Sequence, residues 1–195
     1  ILTGYLSATS GEVTIDGHDI LDDPVAAKKK IGYLPEHPPL YMDMTVREYL
    51  DFVYDLKKVE EDREAHIGKI CETVRITDVQ NRLISNLSKG YKQRVGLAQA
   101  MVGNPEVLIL DEPTVGLDPK QIIEIRSVIK QLGREHTVIL SSHILQEVNA
   151  ICERVIIINK GRLVASDTPE NLGKSISNEN KFQLRVAGEE RAILD

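Results

Sequence analysis

Val107-Leu108-Ile109-Leu110-Asp111-Glu112-Pro113 is the stretch on which the reading of this chain turns. Four apolar residues in a row, closed by a proline-ended turn, have the pattern of a strand buried on both faces of a parallel sheet. The strand stops at two adjacent carboxylates. In open α/β sheets ligands bind at the carboxyl ends of the strands, which puts Asp111 and Glu112 at a ligand edge. Neighbouring residues of a strand point to opposite sides, so the two acids can divide the work. Asp111 would hold a Mg²⁺ ion through its coordinated water, and Glu112 would polarise an attacking water. Taken alone, the same residues also describe a strand-end turn with two solvated acids.

Working outward toward the C-terminus, the pattern alternates between strand and helix. Asp118 is placed as an N-cap with Pro119 in the first helical position, and Ile122, Ile125, Ile129 and Leu132 form the inward stripe of a helix that stops at Gly133. Thr137-Val138-Ile139-Leu140 predicts a second buried strand, from which Ser141-Ser142-His143 emerges at the same ligand edge. A helix is expected from Ile144 to Cys152, then a hairpin of Val155–Ile158 and Leu163–Ala165 around Lys160-Gly161. The alternation implies an α/β core with right-handed crossovers. Residues 167–195 are less apolar, and Phe182-Gln183-Leu184-Arg185-Val186 reads as the start of a further strand.

Toward the N-terminus, residues 1–40 read as strands and turns, with alternation across Gly11–Gly17 and a short strand Ile31–Leu34 stopped by Pro35. Lys28-Lys29-Lys30 reads as a solvated face rather than a phosphate or lipid patch. From Thr45 the period becomes helical: Val46, Tyr49, Leu50, Val53 and Leu56 share one face, as do Ile67, Ile70 and Val74 in a second helix over 62–74. Together they suggest a helical lobe at about 41–103. Within it, Ser88-Lys89-Gly90 opens a helix, and a helix N-terminus with free N–H groups favours phosphate. A plain Ser N-cap is the ordinary alternative.

The 195 residues are 42% hydrophobic and 28% charged, with 30 acidic against 24 basic side chains and a net charge of −6. Collagen, low-complexity disorder and disulfide scaffolds are excluded by this composition, and no apolar run approaches the roughly 20 residues that span a bilayer. The acidic balance argues against a nucleic-acid partner. Cys71 and Cys152 form no CxxC, which fits a reducing compartment and no metal cluster. The chain begins at Ile1 with no signal-peptide pattern, and we expect it to be a piece of a longer cytosolic polypeptide.

Ser88-Lys89-Gly90, Asp111-Glu112, Gly116-Leu117-Asp118 and His143, in this order and spacing, resemble the nucleotide-binding domain of ATP-binding-cassette (ABC) proteins over residues 1 to about 170. By that resemblance Leu87–Tyr91 matches the signature loop LSGGQ and Val107–Glu112 the Walker B strand. Gly116–Asp118 matches the D-loop, His143 the switch histidine, and the segment ending at Glu36 the Q-loop. Gly32–Glu36 and Leu87–Tyr91 look like the branch serving exporters and gliding-motility-type complexes. The implied fold is an α/β ABC ATPase with a mainly parallel core sheet, an N-terminal antiparallel β portion and an inserted helical subdomain, occupying residues 1–166 with 167–195 as an extension. The implied ligands are ATP and Mg²⁺, with Asp111 and Glu36 at the metal. Glu112 and His143 would be catalytic, and Glu36, Ser88, Gly90 and Asp118 would contact the nucleotide. Such domains work as head-to-tail dimers, so Ser88 and Gly90 would touch the γ-phosphate of ATP held by a second nucleotide-binding subunit. The other implied partner is a transmembrane permease subunit, touched through the helical lobe and residues such as Leu40, Tyr41 and Met42. Location would be cytoplasmic, peripheral on the cell membrane through that partner.

The sequence departs from the family in three places. GxxxxGK[ST], the phosphate loop, is not among these residues; Gly173-Lys174-Ser175 lacks the first glycine, since position 168 is Thr168. The 195 residues alone are therefore expected neither to bind ATP tightly nor to hydrolyse it. Glu36 stands where the family has Gln, which either strengthens Mg²⁺ binding or repels Glu112. Lys89 and Tyr91 replace a Gly and the Gln of the signature, and Lys89 is expected to face solvent. The competing readings are a soluble ABC ATPase of translation or chromosome maintenance and a non-catalytic assembly module. Against the first stand the single cassette and the absence of sustained heptads in the lobe.

Overall fold

A computed structural model of the chain describes residues 1–177, so the strand expected at Phe182–Val186 lies outside the described residues. By its internal contacts the chain forms two compact units, Ile1–Glu147 and Val148–Asp195.

The first unit opens with a hairpin, β1 (Thr14–Ile15) paired antiparallel to β2 (His18–Asp19). Asp16 and Gly17 between them both have positive φ, the conformation that a two-residue hairpin turn demands. The turn lies inside the Gly11–Gly17 stretch, which is why that stretch is not one strand. Helix α1 (Pro24–Lys29), capped by Asp23, was not foreseen: six residues are too few to show a period. Strand β3 (Ile31–Leu34) follows.

Helix α2 (Val46–Lys57) starts in a capping box: Glu48 N donates to Thr45 Oγ1 at 3.2 Å, and Thr45 N donates to Glu48 Oε2 at 2.8 Å. Helix α3 (Arg63–Thr73) is capped by Asp62, whose carboxylate accepts from Ala65 N at 2.9 Å. Two single 3₁₀ turns, Thr77–Val79 and Ile84–Asn86, lead to α4 (Lys89–Met101), capped by Ser88. Val46, Leu50, Ile67, Ile70, Cys71, Val95 and Ala98 are buried among these helices, each large aliphatic contributing about 1.5–3 kcal/mol. Lys57 fastens α2 to the end of α4 by donating to Val102 O at 2.7 Å, and burial pulls its pKa down to about 8. Helices α2 and α3 bury the stripes that the periodicity predicts, except that Leu56, near the end of α2, is exposed. Of the residues expected on the surface of the helical lobe, Tyr41 and Met42 are about half exposed, whereas Leu40 is buried and unavailable as a contact.

Strand β4 (Val107–Asp111) lies between β3 and β5 (Thr137–Ser141) in a parallel sheet, with α5 (Pro119–Leu132) connecting β4 to β5. Helix α6 (Leu145–Ile151) follows β5. The register sets Leu34 beside Leu110, and Asp111 beside Ser141, so the strand ends are level. Helix α4 packs on β3 at very short range. A Cβ at Gly32 would lie 2.7 Å from Leu108 Cδ2 and 2.9 Å from the Ala100 carbonyl carbon. Two expectations about burial are corrected here. Leu108 and Leu110 are fully buried, but Val107 and Ile109, on the other face, are half-buried. That face is covered in part by Ile15, Ile20 and Ala27, and otherwise opens as a groove lined by Ile1, Leu2, Tyr33, Ile109 and Ile139. Strand β5 is not buried either; it is the sheet's edge among the described residues, and Ile139 is 40% exposed.

In the second unit, β6 (Val155–Asn159) and β7 (Arg162–Asp167) form the expected antiparallel hairpin around Lys160-Gly161, followed by α7 (Pro169–Ser177).

Candidate functional site

The level strand ends bring three of the expected residues together. Asp111 closes β4, and Ser141, opposite it on β5, donates its Oγ proton to Asp111 Oδ1. Glu112 leaves the strand with φ of 46°, a left-handed backbone that costs a non-glycine residue about 1–3 kcal/mol. That twist turns its carboxylate toward β5. Glu112 N donates to Ser141 O at 3.2 Å and to Ser141 Oγ at 3.3 Å. Glu112 Oε1 accepts from both His143 N, at 3.0 Å, and His143 Nδ1, at 2.8 Å. Its other oxygen, Oε2, is buried with no hydrogen-bond partner.

The imidazole feels this carboxylate. The hydrogen bond to Glu112, then its charge, and more weakly the charges of Glu147 and Glu36, raise the His143 pKa above 6.5. The pair therefore stabilises the fold fully below the ordinary His value and loses that contribution as pH climbs through the raised one. Glu36 lies two residues past the end of β3, whose last residue, Leu34, pairs with Leu110. Tyr33 approaches Asp111: burial, then the Asp111 charge, raise its pKa. Neither the Ser141 bond nor the approach of Tyr33 was foreseen. The hydroxyl two residues before His143 was the available signal, but its partner depends on strand register.

No three His, Cys, Asp or Glu side chains among the described residues group tightly enough to cage a metal ion. Mg²⁺ does not need such a cage, because it keeps several waters and takes one or two carboxylates together with substrate phosphates. The Asp111 carboxylate and the Ser141 hydroxyl are hard oxygen donors, and the unpartnered Glu112 Oε2 marks an edge built for water or a cation. The residues fit the ion.

The remaining expected residues meet in a second cluster. Ser88 Oγ accepts from Tyr91 N at 3.4 Å, capping α4. Asp118 Oδ1 accepts from Gln121 N at 2.9 Å, capping α5. The two helix starts touch: a Cβ at Gly90 would lie 2.7 to 2.9 Å from the Gln121 amide group. Lys89 is exposed as expected, yet its side chain lies over Gly116, with Cε 3.1 Å from where a Cβ would stand. Tyr91 anchors the turn by donating to Asp78 Oδ2 at 2.9 Å. The turn that carries Gly116 and Asp118 follows Glu112 directly: Val115 N donates to Glu112 O at 3.1 Å and Leu117 N to Thr114 O at 3.2 Å. One cluster holds a base and acids without a phosphate cradle. The other holds a helix N-terminus, a hydroxyl and an ammonium without a base.

The chain is similar to known proteins in sequence and in fold. The sequence profile of the family described as "ABC transporter" matches residues 1–115. The linearmycin resistance ATP-binding protein LnrL of Bacillus subtilis is 34% identical over 198 residues, covering 100% of this chain and 63% of that protein. The ABC transporter A family member 1 of Dictyostelium discoideum is 31% identical over 93% of this chain, which spans only 20% of its length. Among solved structures, cbiO1 of Clostridium perfringens, part of the ABC transporter complex cbiONQ, superposes with a TM-score of 0.80. It is 27% identical, with 90% of this chain and 72% of that one covered.

Proposed function

Because the chain belongs to the ABC transporter family as one of its ATP-binding domains, a family of ATPases, we propose that it is the ATP-hydrolysing part of a transporter, working as a head-to-tail dimer. What supports the dimer is the division of roles between the two clusters: the base at Glu112 has no phosphate cradle, and the helix start at Ser88 has no base. In this reading the water attacks the γ-phosphorus as Glu112 accepts its proton. A P–O bond forms to the water oxygen, the bond to the β-phosphate oxygen breaks, and ADP and phosphate leave. His143 donates its backbone N–H and Nδ1–H to the Glu112 carboxylate, and in its protonated form would donate Nε2–H to the phosphate. Asp111, with Glu36, would hold Mg²⁺, which supplies positive charge to the phosphate oxygens. Ser88, Gly90 and the start of α4 would meet the γ-phosphate of the nucleotide bound by the second copy, with the Asp118 turn beside it.

Among the described residues no helix is long and apolar enough to cross a membrane. A permease subunit would provide the path, meeting the lobe near Tyr41 and Met42 and keeping this domain at the cytoplasmic face. Export is the favoured direction, supported by the name of the LnrL relative, a resistance protein. The chain spans only part of its relatives, so these statements concern the complete protein.

Mixing variants tests the dimer. Glu112→Gln and Ser88→Arg copies of the complete protein should each be inactive. Mixed in equal amounts, half of the dimers carry one intact site, so ATPase activity should return to up to about a quarter of the unaltered level; no recovery would refute the head-to-tail arrangement. Residues 1–195 alone, without GxxxxGK[ST], should show no Mg-ATP binding tighter than about millimolar by calorimetry. Micromolar binding would overturn that expectation.

A further inference from the structure

Glu147 is 1% exposed, the most deeply buried of the carboxylates in the first unit, and the mechanism above gives it no role. It stands in the first turn of α6, and its Oε2 accepts from two hydroxyls on opposite sides of the site. One is Thr114 Oγ1, itself 2% exposed, two residues after Glu112. The other is Ser142 Oγ, at 3.4 Å, one residue before His143. Ser142 Oγ also accepts from Ile144 N at 3.1 Å, so it fixes the turn that leads from β5 into α6. Arg126 of α5 brings Nη2 to 3.2 Å from Glu147 Oε1, but the alignment is poor, and Glu147 Oε1 and Arg126 Nε both lack hydrogen bonds. A buried carboxylate with an imperfect ion pair is a costly way to fill space, and an apolar side chain of the same volume often stabilises more. What an apolar residue cannot do is bond two hydroxyls at once.

We infer that Glu147 is a positioning residue for the His143–Glu112 pair, its Oε2 tying the turn after Glu112 to the turn before His143. The two turns leave adjacent strands, and their outer ends are exposed. His143 is held to Glu112 by bonds to one oxygen, so a small shift between the turns would lengthen both. This inference rests on the ATPase reading for its kinetic consequence, though not for its geometry.

The complete protein carrying Glu147→Met, which fills the space but accepts no hydrogen bond from the two hydroxyls, should lose about tenfold or more in kcat with KM for ATP changed less than about threefold, because geometry in the transition state is what is lost. In a His143→Ala background the same substitution should cost less than about twofold, since a residue acting through His143 has nothing left to position. A merely structural Glu147 would cost the same factor in both backgrounds, and that result overturns the inference. Should Glu147→Met not fold, Thr114→Val, which removes one of the tied hydroxyls, is put through the same cycle with the same expectations. A crystal structure of whichever variant folds gives a readout independent of activity. The 2.8 Å contact between His143 Nδ1 and Glu112 Oε1 should open beyond hydrogen-bond range, and its persistence refutes the inference. If the unaltered complete protein hydrolyses no ATP, the ATPase reading fails, and this structural arm alone decides the role of Glu147.

Discussion

Glu112→Gln in the complete protein is expected to lower ATP turnover by a factor of about 10²–10⁴, the range that removal of a general base produces. The amide keeps an oxygen where Oε1 accepts from His143 N and Nδ1, so the local hydrogen bonds survive. It keeps the shape of the side chain, and Gln is no worse than Glu at a φ of 46°. What it cannot do is accept a proton. ATP binding should therefore persist while hydrolysis stops, and a nucleotide-bound dimer should accumulate, visible as a doubled mass by light scattering. The same substitution removes the hydrogen bond to a charged oxygen that is the largest cause of the raised His143 pKa. Followed by nuclear magnetic resonance, the imidazole should titrate at lower pH in the variant. Unchanged turnover would remove Glu112 from the chemistry, whatever the imidazole does.

The largest effect on stability is expected at Gly32. Its added Cβ would meet the backbone of Ala100 as well as Leu108 Cδ2, and backbone cannot swing aside as a flexible side chain does. Gly32→Ala must push α4 away from β3, where the two now touch without intervening side chains. Overpacking of this kind costs about 3 kcal/mol or more when rigid main chain is the obstacle. Thermal unfolding should then begin about 6–12 °C lower for a domain of this size. Gly90→Ala is the internal comparison: its obstacle is the end of the Gln121 side chain, which can turn away, so the loss of stability should be much smaller.

The sequence made the helical parts of this fold legible because their signals are local. Thr45 with Glu48, Asp62, Ser88, and Asp118 with Pro119 each cap the helix that their positions announce. Strand β4 was equally plain, since four aliphatic residues before a turn admit few other uses. What stayed hidden depends on distant partners. Whether Ile109 and Ile139 are covered depends on what packs over the sheet, and neither residue's own neighbours report it. Helix α1 was too short to reveal a period. At the site, the order of the motifs placed Glu112 and His143, but Ser141 against Asp111 is a matter of strand register. Glu147 looked like any acid in the first turn of a helix; only folding shows that Thr114, from 33 positions earlier, closes on it.

The left-handed backbone at Glu112 also restricts which mutations this position can accumulate. Valine, isoleucine and threonine carry two branches at Cβ and collide with their own main chain there, whereas asparagine, aspartate, glycine and glutamine do not. A lineage that lost the need for hydrolysis would drift first through that small polar set, each step a single missing or altered acid on an otherwise intact loop. Decay of the enzyme would thus precede decay of the architecture, leaving descendants that still close around nucleotide but no longer split it.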